Sequence, residues 1–191
     1  IADAESFRTP LGPVAVDRDF ARRLAEKAGA GEGSAAHAEE HSLEVELPFL
    51  QAVAPGAAIV PVLVGEGTDR EASRRMARAL AELLDPSTAV VVSSDFTHHG
   101  GRYGYAPFAG DPHLADTLLE VGRATAGRLA AVDPDGFWHQ LEVSGDTVCG
   151  RRPLAVLGEL LDHAFTGSGS TSALTTSGHV SGSFDLSVTY A

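Results

Sequence analysis

Cysteine is nearly absent from this chain. Cys149 is the only one in 191 residues, so no internal disulfide can form and the fold must rest on a packed core. Tryptophan and methionine also occur once each, and aromatic residues make up only 6%. Positive charge is scarce as well: 14 Lys and Arg stand against 26 Asp and Glu, leaving a net charge of −12. Nucleic acid and anionic membrane surfaces require clustered cations, and only Arg74, Arg75 and Arg78 gather locally. Both are therefore excluded as expected partners. No apolar run approaches the roughly 18 residues that span a bilayer. Gly-x-Ser-x-Gly, phosphate-loop, dinucleotide and His-Glu-x-x-His patterns are all missing, which removes the commonest hydrolase, nucleotide and zincin readings. One cysteine and no spanning segment suit a reducing, cytoplasmic setting. The first residue is Ile1 rather than Met, so upstream residues are expected to have been removed or left out.

What is present suits a globular protein, with 43% hydrophobic and 21% charged residues, expected to form one domain over residues 1–191. Pro10-Leu11-Gly12-Pro13 reads as a turn, with Val14 and Val16 pairing at a sheet edge. Asp17 caps a helix that Gly29 stops near Ala28. Residues 29–36 read as a loop, and a helix interrupted at Pro48 is expected from about Ala38 to Val53. The apolar runs 58–64 and 88–94 are strand candidates, with Pro61 weakening the first. Helices are expected over 69–84, from Asp111-Pro112 to about Ala131, after Asp133-Pro134, and over 150–165. Two strands close the chain, over 172–177 and 183–190. Alternating strands and helices favour a three-layer α/β/α sandwich around a mixed sheet.

Three segments carry side chains suited to chemistry. The first is Ser94-Asp95-Phe96-Thr97-His98-His99 at the end of a β-branched run, where ligands gather in open α/β sheets. Asp95 is placed to hold one ring nitrogen of His98 while the other faces a substrate or metal. The second is His37-Ala38-Glu39-Glu40-His41-Ser42-Leu43-Glu44, which on one helix would align His37 with His41 and His41 with Glu44. The third is Asp146-Thr147-Val148-Cys149-Gly150-Arg151-Arg152. A cysteine just ahead of a helix and beside an arginine favours the thiolate, as ligand or nucleophile; a small buried hydrophobe is the plain alternative. Arg151 and Arg152 could receive a carboxylate or pair with the acidic surface.

Several ordered blocks resemble the Memo family, called AmmeMemoRadiSam system protein B in bacteria and archaea. They are Glu40-His41-Ser42-Leu43-Glu44 with Leu47-Pro48-Phe49, then Ile59–Gly65, Val92–His98, and Thr147–Arg151 followed by Pro153. The resemblance extends from the Ala4–Phe7 region to Ser187–Ala191. It implies a fold similar to LigB-like class III extradiol dioxygenases, which open catechol rings with Fe(II) and O₂. On that resemblance Cys149 matches a metal-pocket position where the dioxygenases carry Glu. His98 matches their acid/base histidine, accompanied by Asp95. His41 and Glu44, with Ser94 and Arg151, are possible pocket or substrate-binding residues. A thiolate in place of the carboxylate softens the site.

The family also carries two pocket histidines in an N-terminal region that nothing here matches, so the chain is expected to begin inside the family domain, after its first strands. The implied cofactor is a divalent metal, Fe(II) foremost, with Zn or Cu as alternatives. Two functions compete: an oxidoreductase-like metal protein acting on an unknown small molecule, and a non-catalytic binder of a peptide or partner protein. AMMECR-domain and radical S-adenosylmethionine proteins are the pathway associates that the bacterial family name implies.

Overall fold

The computed structural model describes residues 1–191 as two compact units, Ile1–Ser93 and Ser94–Ala191. The first opens with an antiparallel hairpin, β1 (Ser6–Thr9) and β2 (Gly12–Ala15), in which Phe7 faces Val14. The Leu11 N–H donates to Thr9 Oγ1 and closes the turn. Helix α1 (Arg18–Ala28) starts where Asp17 accepts the Phe20 N–H and stops at Gly29, whose φ of 65° is the left-handed conformation that ends helices. Helix α4 (Arg70–Leu83) begins likewise, with Asp69 accepting the Ala72 N–H. The core of this unit lies between these helices, around Leu24, Ala28, Ala79 and Leu83, with Val60, Val62, Met76 and Leu80 packed on it.

The expected helix from Ala38 to Val53 is two helices, α2 (Ser34–Glu39) and α3 (Ser42–Val53), and part of the expected 29–36 loop is helical. The break falls at Glu40 and not at Pro48, which lies inside α3, and it has a local cause. Glu40 is extended at its backbone, and its carboxylate accepts the N–H groups of both His41 and Ser42, capping a new helix. His37 and His41 thus share no helix face. His37 is buried against the edge of the Phe7 ring.

The two apolar runs differ from expectation as well. Within 58–64 only Ile59 makes a bridge, parallel to Val16, and 88–94 has no ladder. Pro61 has no N–H to offer, and Val60 and Val62 serve the core through their side chains instead. Val90 and Val91 are 39% and 53% exposed. β-propensity describes how well a side chain suits a pleated surface; a strand also needs a neighbour.

The second unit carries a three-stranded antiparallel sheet with β5 (Ser187–Tyr190) between β3 (His98–His99) and β4 (Thr175–Thr176). Helix α5 (Leu114–Ala130) starts two residues later than the Asp111-Pro112 pair suggests, because Asp111 caps the preceding turn by accepting the His113 N–H. Helix α6 (Pro134–Ser144) has Asp133 as its cap and Pro134 in its first position, as the sequence predicts. Helix α7 (Arg151–Ala164) and the short α8 (Ser177–Ser181) complete the unit. Leu118, Phe137, Leu141, Leu154 and Leu160 are buried where α5, α6 and α7 pack in sequence. Gly122 lets α5 reach β5: a Cβ there would stand 2.7 Å from Thr189 Cγ2. The protein is thus mixed α/β, with two small antiparallel sheets. No helix is long and apolar enough to cross a membrane.

Candidate metal centre

Two loops of the second unit are stitched together residue by residue. The N–H of Cys149 donates to the Asp95 carbonyl (3.3 Å), and the Asp95 N–H donates to Cys149 Sγ (3.3 Å). Ser94 Oγ accepts the N–H of Gly150, the residue capping α7, at 3.0 Å and donates to the Asp95 carbonyl at 2.8 Å. Further along, the His98 N–H donates to Thr147 Oγ1 at 2.8 Å, and that hydroxyl donates to the His98 carbonyl at 2.9 Å. Val148 and Phe96, between these contacts, are buried and anchor both loops to the core.

This lacing brings Asp95, His98 and Cys149 together, each offering one ligand atom, and the three atoms lie within 4.8 Å of one another. His98 Nε2 and Asp95 Oδ2 are 3.7 Å apart. That exceeds hydrogen-bond length, so the expected bond from Asp95 to His98 is not made. The other ring nitrogen settles the orientation. Nδ1 lies 2.9 Å from the Phe96 carbonyl and 3.1 Å from the Thr147 carbonyl. Carbonyls only accept, so Nδ1 carries a proton, and Nε2 is the ring nitrogen left on the side of Asp95.

These three residues could hold a metal ion. Ligands sharing one ion at roughly 2.0–2.3 Å stand about 3.3–3.8 Å apart in a tetrahedron; the Asp95–His98 separation of 3.7 Å falls in that range, and the group as a whole is bounded at 4.8 Å. Carboxylate, imidazole and thiolate together suit a borderline ion better than Ca²⁺ or Mg²⁺. His98 is 19% exposed at its side chain and Asp95 45%. Cys149 is exposed, which removes the buried-hydrophobe reading of the lone thiol.

Two tyrosines border the group. Tyr103 sets its ring edge-on to His98, with centroids 5.1 Å apart. The Tyr190 phenol is pushed above its ordinary value by burial first, and then by the negative charge of Asp95 and by Tyr103. Sequence reasoning missed Tyr190, which nothing marks except its position at the end of a terminal strand. It also passed over Thr147, although a hydroxyl two residues before the cysteine stood inside the quoted block.

The remaining candidates sort differently. Ser94 is a bracket between the loops, with its hydroxyl engaged at both ends. Arg151 opens α7, and neither it nor Arg152 is an unpaired cation; Arg152 also lies over the Trp138 ring at 5.1 Å. His41 and Glu44 belong to the first unit, where His41 precedes α3 with its side chain 85% exposed and making no capping bond, and Glu44 sits in the first turn. Tyr105 is an anchor, donating to the Ser144 carbonyl.

Fold and site define a mixed α/β protein that carries a compact carboxylate–imidazole–thiol donor group. The chain matches the family model of Memo-like proteins over residues 1–191 and belongs to the Memo family. Among its relatives are MEMO1 family proteins of Pyrococcus horikoshii, 35% identical over 74% of this chain and 52% of the relative, and of Methanopyrus kandleri, 35% identical over 97% and 62%. A memo-1 homolog of Caenorhabditis elegans is 29% identical over 100% of this chain and 57% of its own length. The chain therefore spans a little over half the length of the curated relatives it matches.

Proposed function

We propose that Asp95, His98 and Cys149 hold a divalent first-row metal ion, Fe(II) foremost, and that the protein is a metal-dependent, oxidoreductase-like member of its family acting on a small molecule. The convergence of three different donor atoms within 4.8 Å carries this reading. A bound ion would supply Lewis acidity toward a substrate oxygen or water. The chain's own contributions are separable. The Asp95 carboxylate brings negative charge, Cys149 brings the soft donor, and His98 brings the one ring nitrogen not already committed to a carbonyl. Nε2 serves as ligand or as proton acceptor, one role at a time. Tyr103 sets its ring edge-on to His98 at the border of the group. The LigB-like sandwich, the cytoplasmic setting and a pathway shared with AMMECR-domain and radical S-adenosylmethionine proteins are parts of the same proposal, drawn from the family resemblance. Peptide or partner binding through Arg151 and Arg152 is the second reading; Arg152 already lies over the Trp138 ring.

The deciding experiment is anaerobic titration of the chain with Fe(II), Zn(II) and Cu(I), beside Cys149→Ala and His98→Ala. Near-stoichiometric binding by the wild type, lost in both variants, is expected. Binding indifferent to both substitutions, or no binding at all, would overturn the assignment.

A further inference from the structure

We infer that Thr147 is the positioning residue of this site: its hydroxyl and carbonyl together fix the ring of His98 so that Nε2 is the nitrogen presented to Asp95 and Cys149. The inference rests on the metal reading for its consequence, but its geometry stands without a metal.

Thr147 touches His98 at three points. Its Oγ1 accepts the His98 N–H (2.8 Å), the same hydroxyl donates to the His98 carbonyl (2.9 Å), and its own carbonyl receives Nδ1–H (3.1 Å). The hydroxyl therefore uses its donor and an acceptor lone pair on one residue's backbone, which holds residues 147 and 98 at a fixed separation. Only at that separation does the Thr147 carbonyl reach the ring. Phe96 supplies the second carbonyl at 2.9 Å, so Nδ1–H is shared between two acceptors and the ring cannot turn over without leaving both. A flipped ring would set Cδ2 in place of Nδ1 against the two carbonyls and lose both bonds.

The support beneath Thr147 is itself stiff. Val148 is 2% exposed, and the preceding Asp146 is buried with its Oδ2 accepting from Thr125 Oγ1 of α5. Thr147 thus inherits its place from the core of the unit and passes it to His98. A histidine held through its non-ligating nitrogen by fixed acceptors is the arrangement that orients imidazole ligands, and loss of such a partner typically weakens a metal site by about 10–100-fold.

The test uses the whole chain with ¹⁵N-labelled histidine. In the metal-free wild type, at a pH where the ring is neutral, long-range ¹⁵N–¹H spectra are expected to show the Nδ1–H tautomer for His98. A predominant Nε2–H tautomer there would overturn the inference with no variant needed. Thr147→Val keeps the shape but deletes the hydroxyl, and is expected to mix the tautomers and weaken Zn(II) binding by about 10–100-fold. Thr147→Ser keeps the Oγ and is expected to restore both. A folded Thr147→Val with the wild-type tautomer and unchanged Zn(II) affinity would refute the role. If the wild type binds no Zn(II), the metal reading fails, and the tautomer comparison among the three proteins still decides the role of Thr147.

Discussion

Asp95 and Cys149 hold each other through the main chain: the N–H of each donates to the other, one to Sγ and one to a carbonyl, both at 3.3 Å. The thiol's position therefore depends on the backbone of Asp95 and not on its carboxylate. Asp95→Asn removes the charge and leaves both bonds in place. Stability is expected to change by no more than about 0.5 kcal/mol, as for other surface replacements, while affinity for a divalent ion falls at least about tenfold. Urea unfolding and calorimetric titration measure the two separately. Wild-type affinity in Asp95→Asn would remove the carboxylate from the proposed ligand set.

Cys149 is a free, exposed thiol at the mouth of the same group. Iodoacetamide is expected to label the native chain once, without denaturant, and the rate should fall when Zn(II) is added. Intact mass spectrometry against time follows both. A thiol that reacts only after unfolding would contradict the exposed placement, and a rate blind to Zn(II) would argue that the ion binds elsewhere.

Asp146 gives the fold a dependence on pH. Burial pushes its carboxyl above the ordinary value of 3.8, against the opposing influence of nearby Thr97, of Thr125, which donates to it, of the Thr147 backbone and of His98. A carboxyl raised on folding is protonated more readily in the native than in the unfolded state. Its contribution is therefore fully present below about pH 3.8 and is lost as pH rises through the native value. Asp146→Asn keeps an oxygen for Thr125 and cannot ionise. The wild type is expected to lose stability relative to Asp146→Asn as pH is raised from about 4 toward neutrality. Parallel melting temperatures across that range would show that Asp146 does not titrate with folding.

Local chemistry made most helices legible. Asp17 and Asp133 each cap the helix that the sequence assigned to them, because a side-chain oxygen accepting an N–H three residues on is a short-range event; Asp69, expected inside its helix, caps it instead. Within the candidate site, Asp95 and His98 were paired by their closeness in sequence, whereas Cys149 was joined to them by the family resemblance. What escaped was relational. Ile59–Val64 and Val90–Val92 have strand character but no ladder partner, and no count of valines announces one. The carboxylate of Glu40 divided one expected helix into two through bonds to His41 and Ser42, which a hydrophobic period does not register. The orientation of His98 was assigned to the nearby carboxylate, whereas two main-chain carbonyls provide it.

Gly100 follows β3 directly, and its backbone explains why no other residue suits that position. Its φ is +127°, outside the range that L side chains ordinarily adopt, and an added Cβ would stand 2.4 Å from the Asp185 carbonyl oxygen. Its N–H donates to the Tyr105 carbonyl at 2.7 Å, so the segment cannot move away without breaking the bond that closes the loop. Gly104, in the same loop, offers an internal control: its φ is +68° and a Cβ would meet nothing within 4 Å. Gly104→Ala is expected to lose roughly 1–2 kcal/mol, the ordinary left-handed penalty. Gly100→Ala carries both conformational strain of about 1–3 kcal/mol and the collision with Asp185, and should be clearly the less stable of the two. It should also disturb His98, two residues away, which histidine ring resonances would report. Equal losses in urea unfolding, with the His98 signals unmoved in both variants, would show that the approach of Asp185 does not constrain the strand that carries the site.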